Sequence, residues 1–455
     1  MTWSPDLGQE GKVQKQLPLA PAAPGHPHAK ELSAMGIILD AHPEIAELVL
    51  ADLVPEEVNA NAGAPGMTAD FVMRAALLKQ MHSLSYEKLA FALTDSLSFR
   101  SFVALGLADP APTKSTLQSN IKRLTAETWE AINRVLVSHA RHAGVERGIK
   151  ARVDCTVTDS NIHEPDDSWQ LWDVVRTLTR LLDRAIKEGF DVKFCRRTKA
   201  AKRRRLTVMN AKDAGTRRGG YRALLKLTEE VLAFADAAVA VLETVRLDPI
   251  AIGLAAELKH FADLGRKVVS QTKRRVIEKE AVPASEKVVS IFEPHTDIIV
   301  KGRRKVQYGH KLCLGVGESG LVLDLVVEKG NPADSTMVER SIDRLSTALG
   351  RKPRQIALDG GFASKANLEA AKAMGIKDVC FSKGRGLAVT DMVKSTWVYK
   401  QLRRFRAGIE AIISFLKRGF GLRRCTWKGW AGFNRYAWAS AVSFNLLLIA
   451  RHQLE

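Results

Sequence analysis

The stretch ARVDCTVTDS (151–160) decides the fold. Arg152, Asp154, Thr156, Thr158 and Ser160 alternate with Val153, Cys155 and Val157. A period of two, rich in β-branched residues, predicts a strand with one polar and one apolar face. The pattern upstream is helical and the pattern downstream is mixed, so this is the first strand of a sheet. Asp154 falls on its polar face. Aspartate is depleted in strands, so its place there carries information. The plain alternative is a solvent-facing side chain.

Upstream, residues 1–30 are rich in Pro, Gly and Gln and read as a disordered tail. Residues 31–148 read as an all-helical N-terminal domain. Thr68-Ala69-Asp70 predicts a helix start before Phe71, Ala75 and Leu78, and LSYEKLAFAL (84–93) predicts another start after Ser83. Thr113–Leu117 opens a longer helix reaching about His142. Small helical domains commonly bind DNA, although no helix-turn-helix is legible in this one.

Downstream, residues 165–280 return to helix, with Tyr221–Thr244 and Ile250–Lys279 as an antiparallel pair. VVSIFEP (288–294), KVQYGHKLCLGV (305–316) and LVLDLVVE (321–328) predict a meander whose last turn is Gly317–Gly320. Then a helix over Ser335–Leu349, the strand QIALD (355–359), a helix over Ser364–Met374 and the strand DVCFS (378–382) alternate. Helices at 398–418 and 428–453 close the chain. The predicted class is α/β: a mixed sheet from 149–164 and 281–455, interrupted after its first strand by a helical insertion at 165–280.

The chain has 455 residues, enough for two to four structural units. Lys and Arg number 69 against 50 Asp and Glu, a net charge of +19, which favours a polyanionic partner, nucleic acid first. With 46% hydrophobic and 26% charged residues, a wholly disordered chain is excluded. The 5 Cys are scattered without a CxxC pair, which predicts a reducing, cytoplasmic setting. MTWSPDLGQE lacks the basic start and apolar run of a secretory signal. Tyr436–Ala450 is apolar but shorter than the ~18–20 residues of a membrane span. It carries Ser440, Ser443 and Asn445, so a buried helix is predicted and no membrane partner.

Two further acids join Asp154. Asp359 ends a short apolar strand in IALDGGF, just before Gly360 and Gly361. Ligands of open α/β sheets bind beyond the carboxyl ends of strands, although a turn aspartate explains the same residues. Glu410 lies in RRFRAGIEAIISFLKRGFG. At 100° per residue Arg403, Arg406, Glu410 and Lys417 share a stripe about 60° wide, beside an apolar face. The plain alternative is an i,i+4 salt bridge on a solvated helix. Three carboxylates meeting in space would suit Mg²⁺, which prefers oxygen ligands. Two such ions serve in-line displacement at phosphorus.

At these residues the sequence resembles bacterial insertion-sequence transposases of the DDE class, most of all the ISNCY-type group with a Y-R-E-K signature. The resembling segments are VDCTVTDSNIHEPDDSWQLWDVVRTLTRLL (153–182), GNPADSTMVER (330–340), IALDGGFASKANLEAAKAMGIKDVCFSKGRG (356–386) and RFRAGIEAIISFLKRGFGLRRCTW (404–427). RAALLKQMHSLSYEKLAFALTDSLSFRSF (74–102) resembles the helical domain that precedes the catalytic core. The resemblance implies a ribonuclease-H-like fold, with Asp154, Asp359 and Glu410 as catalytic, metal-binding residues for two Mg²⁺ ions, Mn²⁺ serving as a substitute. Arg406, Glu410 and Lys417 fit the signature's spacing. Its tyrosine position holds Arg403, with Tyr399 one turn earlier.

The implied activity is a transposase that cuts element ends and joins the 3′-OH to target DNA, working as a homodimer on double-stranded DNA. A nuclease that cuts without joining, and a non-catalytic DNA-binding protein, are the alternatives. Candidate DNA contacts are Arg403, Arg406 and Lys417. RRTKAAKRRR (196–205) adds Arg196, Arg197, Arg203, Arg204 and Arg205, and the cluster of Lys301, Arg303, Arg304, Lys305 and Lys311 follows. Charge runs are more often simply solvated. His310 reads as structural. Asn331 and Asp334 read equally as a turn with a cap or as lining of the site. Trp397 reads as core packing or as a base-stacking platform.

Overall fold

The computed structural model describes residues 25–54, 67–245, 247–300 and 305–455. The chain forms two compact units, Met1–Thr158 with Lys311–Glu455, and Asp159–His310. The strands are β1 (Lys150–Asp159), β2 (Asp297–Ile299), β3 (Gln307–Gly317), β4 (Val322–Val327), β5 (Gln355–Leu358) and β6 (Asp378–Phe381).

In the first unit the neighbours run β4, β3, β1, β5, β6. β3 and β4 are antiparallel, while β1, β5 and β6 are parallel, so the sheet is mixed. The Gly317–Gly320 turn forms as predicted: Gly317 N–H donates to Leu321 O at 2.9 Å and Gly320 takes a φ of 94°. β1 differs from the expectation in one respect, because its polar face is buried as well. Thr158 Oγ1 donates to Leu422 O at 2.8 Å, and the Arg152 guanidinium lies 4.5 Å from the Phe405 ring centre. A central strand flanked by neighbours and covered by helices has no solvent side.

The N-terminal helices share one core with this sheet instead of building their own. Pro27–Asp40 is a helix, so the expected tail ends earlier, and residues 1–24 lie outside the described part. Thr68 caps its helix as predicted, accepting from Phe71 N. The next cap is Ser85, not Ser83, because Ser83 occupies a left-handed φ of 49°. The long helix predicted from Thr113 to His142 is two, Lys114–Ile121 and Ala126–His142. The break is fixed by Thr125, whose N–H donates to Asp52 Oδ2 at 2.7 Å while its hydroxyl caps Thr128 N. In the C-terminal helix Gly429–Leu454 the buried amide of Asn445 has a structural role. Buried Asn445 accepts from Val322 N at 2.8 Å and donates to Val322 O and Asn133 Oδ1, both at 2.7 Å.

The second unit is mostly helical: Asp167–Lys187, Thr198–Asn210, Ala214–Thr244 and Pro249–Thr272, the last extended by a π-helical turn, Lys273–Ile277. VVSIFEP is not a strand. Helix amides occupy the groups a ladder would use: Gln271 pairs with both Val288 N and O, and Gln170 donates to Val289 O. The strand in this region is β2, paired with the first residues of β3.

Candidate active site

β1 and β5 are in parallel register from Lys150↔Gln355 to Val153↔Leu358. One residue further on each strand stand Asp154 and Asp359, so strand pairing alone makes these acids neighbours. Asp154 Oδ1 accepts from Cys155 N at 2.8 Å. Asp359 Oδ1 accepts from the Ser382 hydroxyl at 2.7 Å, and Ser382 follows β6 directly. Burial acts to raise the Asp359 pKa, but the Ser382 hydroxyl, the Gly360 N–H, and the Arg406 and Lys383 cations outweigh it and hold the carboxyl below its usual range.

The glycines after Asp359 are needed for close approach, not for a left-handed turn. A Cβ on Gly360 would meet Lys383 Cβ at 2.8 Å, and one on Gly361 would meet Asp334 Oδ2 at 2.6 Å.

Glu410 comes from a helix. The single helix predicted over 398–418 is two, Thr396–Ala407 and Ile409–Gly419, meeting at Gly408. Arg152 Nη1 donates to Phe405 O at 2.5 Å, and a Cβ on Gly408 would lie 2.5 Å from that nitrogen. A strand arginine therefore holds the helix junction. The i,i+4 relation survives the break: Arg406 Nη1 lies 3.1 Å from Glu410 Oε1. Arg406 Nη2 lies 2.8 Å from Asp154 Oδ2 and 3.3 Å from Asp359 Oδ1. One guanidinium thus contacts all three predicted acids. Because two of these oxygens touch the same nitrogen, the aspartates are held within the reach of those two contacts.

The acids suit a hard divalent cation in kind, being oxygen donors already gathered around a positive charge. Their present spacing suits a guanidinium instead. Among the described residues no three His, Cys, Asp or Glu side chains are close enough to hold one ion.

The predicted cations separate into groups. Arg403 is exposed, 5.9 Å from the Tyr399 ring centre, and Lys417 is half-buried on the second helix. Tyr399 donates to Phe381 O at 3.0 Å and so anchors the end of β6. Arg203 and Arg204 are exposed. Arg196 pairs with Asp183, and Arg197 with Glu230. Arg205 is buried, its guanidinium 3.8 Å from the Trp169 ring centre, so it packs the second unit instead of facing solvent. Lys311 is buried too, donating to Pro332 O at 2.6 Å and Asp334 Oδ1 at 2.8 Å, which also gives Asp334 a structural partner. Arg303, Arg304 and Lys301 lie outside the described residues. His310 is buried and bonded to Asp297 and His295. Trp397 is 67% exposed, so core packing is not its fate. Arg152, Ser382 and Lys383 were missed by sequence reasoning. Their only signal was position, two residues before Asp154 on one strand face and at the carboxyl end of a strand.

Residues 293–446 match a family model described as a transposase DDE domain. Residues 27–123 match another, described as a transposase domain (DUF772). Both models describe transposase domains. Together they support an insertion-sequence DDE transposase and a link to DNA recombination. Asp359 and Glu410 fall inside the DDE domain match, whereas Asp154 lies before it and joins the site through β-pairing. No curated protein and no solved structure matched the chain. No helix among the described residues is long and apolar enough to cross a membrane.

Proposed function

We propose that the chain is a divalent-metal-dependent transposase of the ISNCY-type group, with Asp154, Asp359 and Glu410 as its catalytic acids. The observation that carries this reading is their convergence on Arg406 from β1, the end of β5 and a late helix. The order β4, β3, β1, β5, β6, with an antiparallel hairpin beside parallel strands, supports a ribonuclease-H-like sheet. The reaction is strand cleavage at the element ends followed by attack of the freed 3′-OH on target DNA. Both are in-line displacements at phosphorus, so one site serves both. When bound, a pair of Mg²⁺ ions supplies Lewis acidity at the attacked phosphate.

The chain's own residues do the positioning. The Cys155 N–H fixes one oxygen of Asp154, and Ser382 and Gly360 keep Asp359 ionised. Glu410 is 69% exposed, so a DNA strand can reach it from solvent. Arg403 and Lys417 line the DNA path from the two helices, and Arg203 and Arg204 add backbone contacts from the second unit. Two element ends must be handled together, which calls for a homodimer on the DNA.

The test is a cleavage assay with intact ends beside a strand-transfer assay with pre-cut ends. Wild type joins them to target DNA, while Asp359→Asn, Asp154→Asn and Glu410→Gln each lose joining and cleavage yet still shift the DNA on a gel. Cleavage without joining would demote the protein to a nuclease. Full activity in any of the three variants would remove that residue from the site.

A further inference from the structure

Arg406 is more than a neighbour of the three acids. Its guanidinium touches each of them, its side chain is only 13% exposed, and its Nε has no hydrogen-bond partner among the described residues. Three carboxylates this close would repel one another without a cation between them. A guanidinium fills that role as a broad plane with donors on its rim. The carboxylate oxygens therefore stand around a body larger than an ion, and among the described residues no three acidic side chains are gathered tightly enough for a metal. Guanidinium and divalent cation compete for the same oxygens, so both cannot be fully bound.

We propose that Arg406 is a built-in counter-ion of the acidic site, occupying the cation position in the DNA-free protein and leaving it when a divalent metal binds. The proposal rests on the reading of Asp154, Asp359 and Glu410 as metal ligands. The fold supplies a route for the exchange. Arg406 and Glu410 lie on different helices that meet at Gly408, so their pairing is not locked by one continuous helix. Gly408 is also where a side chain would strike Arg152, so the junction stays narrow. While Arg406 holds the site, the carboxylates are kept gathered but the metal must displace a paired, half-buried cation. That lowers metal affinity before DNA arrives.

The experiment is Mn²⁺ binding to the full chain without DNA, followed by titration calorimetry and by the thermal shift in chelator and in Mn²⁺. Arg406→Gln is expected to bind Mn²⁺ about tenfold tighter than wild type, because no partnered charge must be displaced. In chelator it is expected to melt lower than wild type, and Mn²⁺ is expected to raise its melting point by more. Arg406→Lys, which keeps the charge on a narrower head, is expected to fall between the two. Mn²⁺ binding that depends on Asp359 but is equal or weaker in Arg406→Gln overturns the counter-ion role and leaves the metal site standing. Binding that is absent from wild type and Arg406→Gln alike, or that survives Asp359→Asn, overturns the metal reading and the counter-ion role with it.

Discussion

Ser382 donates its hydroxyl to Asp359 Oδ1 across 2.7 Å, from the end of β6 to the end of its parallel neighbour β5. The bond favours the charged form of Asp359, whose pKa is held below the usual aspartate value. A carboxyl with a lowered folded pKa contributes stability above its unfolded value and loses it as pH falls through the folded one. Ser382→Ala removes the bond, so the acid limb of a cleavage-rate profile is expected to move to higher pH. At neutral pH cleavage is expected to fall about tenfold, the usual cost of losing a partner behind a ligand. An unmoved acid limb would disconnect Ser382 from the chemistry.

Gly361→Ala is expected to damage the same corner sterically. Its Cβ would meet Asp334 Oδ2 at 2.6 Å, and Asp334 is the ion-pair partner of buried Lys311. Pushing Asp334 aside weakens that pair. The expected loss is about 1–3 kcal/mol in urea unfolding, the range for overpacking. An unchanged midpoint would show that the loop relaxes freely.

Glu146 lies buried beside the β3–β4 turn. It accepts from Gly148 N at 2.8 Å, Ser319 N at 3.1 Å and Ser319 Oγ at 2.5 Å, and a Cβ on Gly317 would collide with its carboxylate. Glu146→Ala orphans these donors. Unfolding by denaturant is expected to show a loss of about 2–4 kcal/mol. Glu146→Gln, which keeps an acceptor, is expected to lose less.

Lys79 is buried with its ammonium 4.7 Å from the Tyr86 ring centre and 5.6 Å from that of Trp427. Burial pushes its pKa down to about 8, against a smaller opposing effect from Cys425. Below pH 8 the folded state carries the full cost of that buried charge. As pH rises from about 8 to 10.5 the folded form releases its proton first, so folding gains stability over that window. Lys79→Met is expected to be more stable than wild type by ~1–3 kcal/mol at pH 7, the aromatic faces offsetting part of the burial cost. Melting curves at pH 7 and pH 10.5 would show the advantage shrinking. An advantage that did not change with pH would mean that Lys79 keeps its proton throughout.

Much of the candidate site was legible because its parts have local signatures. The alternation at 151–160 marked β1 and Asp154, IALDGG marked a strand end, and the spacing of Arg406, Glu410 and Lys417 marked a helical stripe. What failed were judgements about faces and breaks. The polar face of β1 is buried because helices cover it, VVSIFEP is held by Gln170 and Gln271 instead of a strand, and Arg205 turns inward onto Trp169. Each depends on what lies opposite in space, which periodicity does not report.

From the sequence alone came most of the strands and helices, the three candidate acids and the positive charge, because backbone preference and side-chain type act over short stretches of chain. Only the tertiary structure decided that Asp154 and Asp359 stand side by side, since parallel register is set by pairing between distant strands. It also decided that Arg406 sits among all three acids, because that position depends on how a helix junction packs against Arg152.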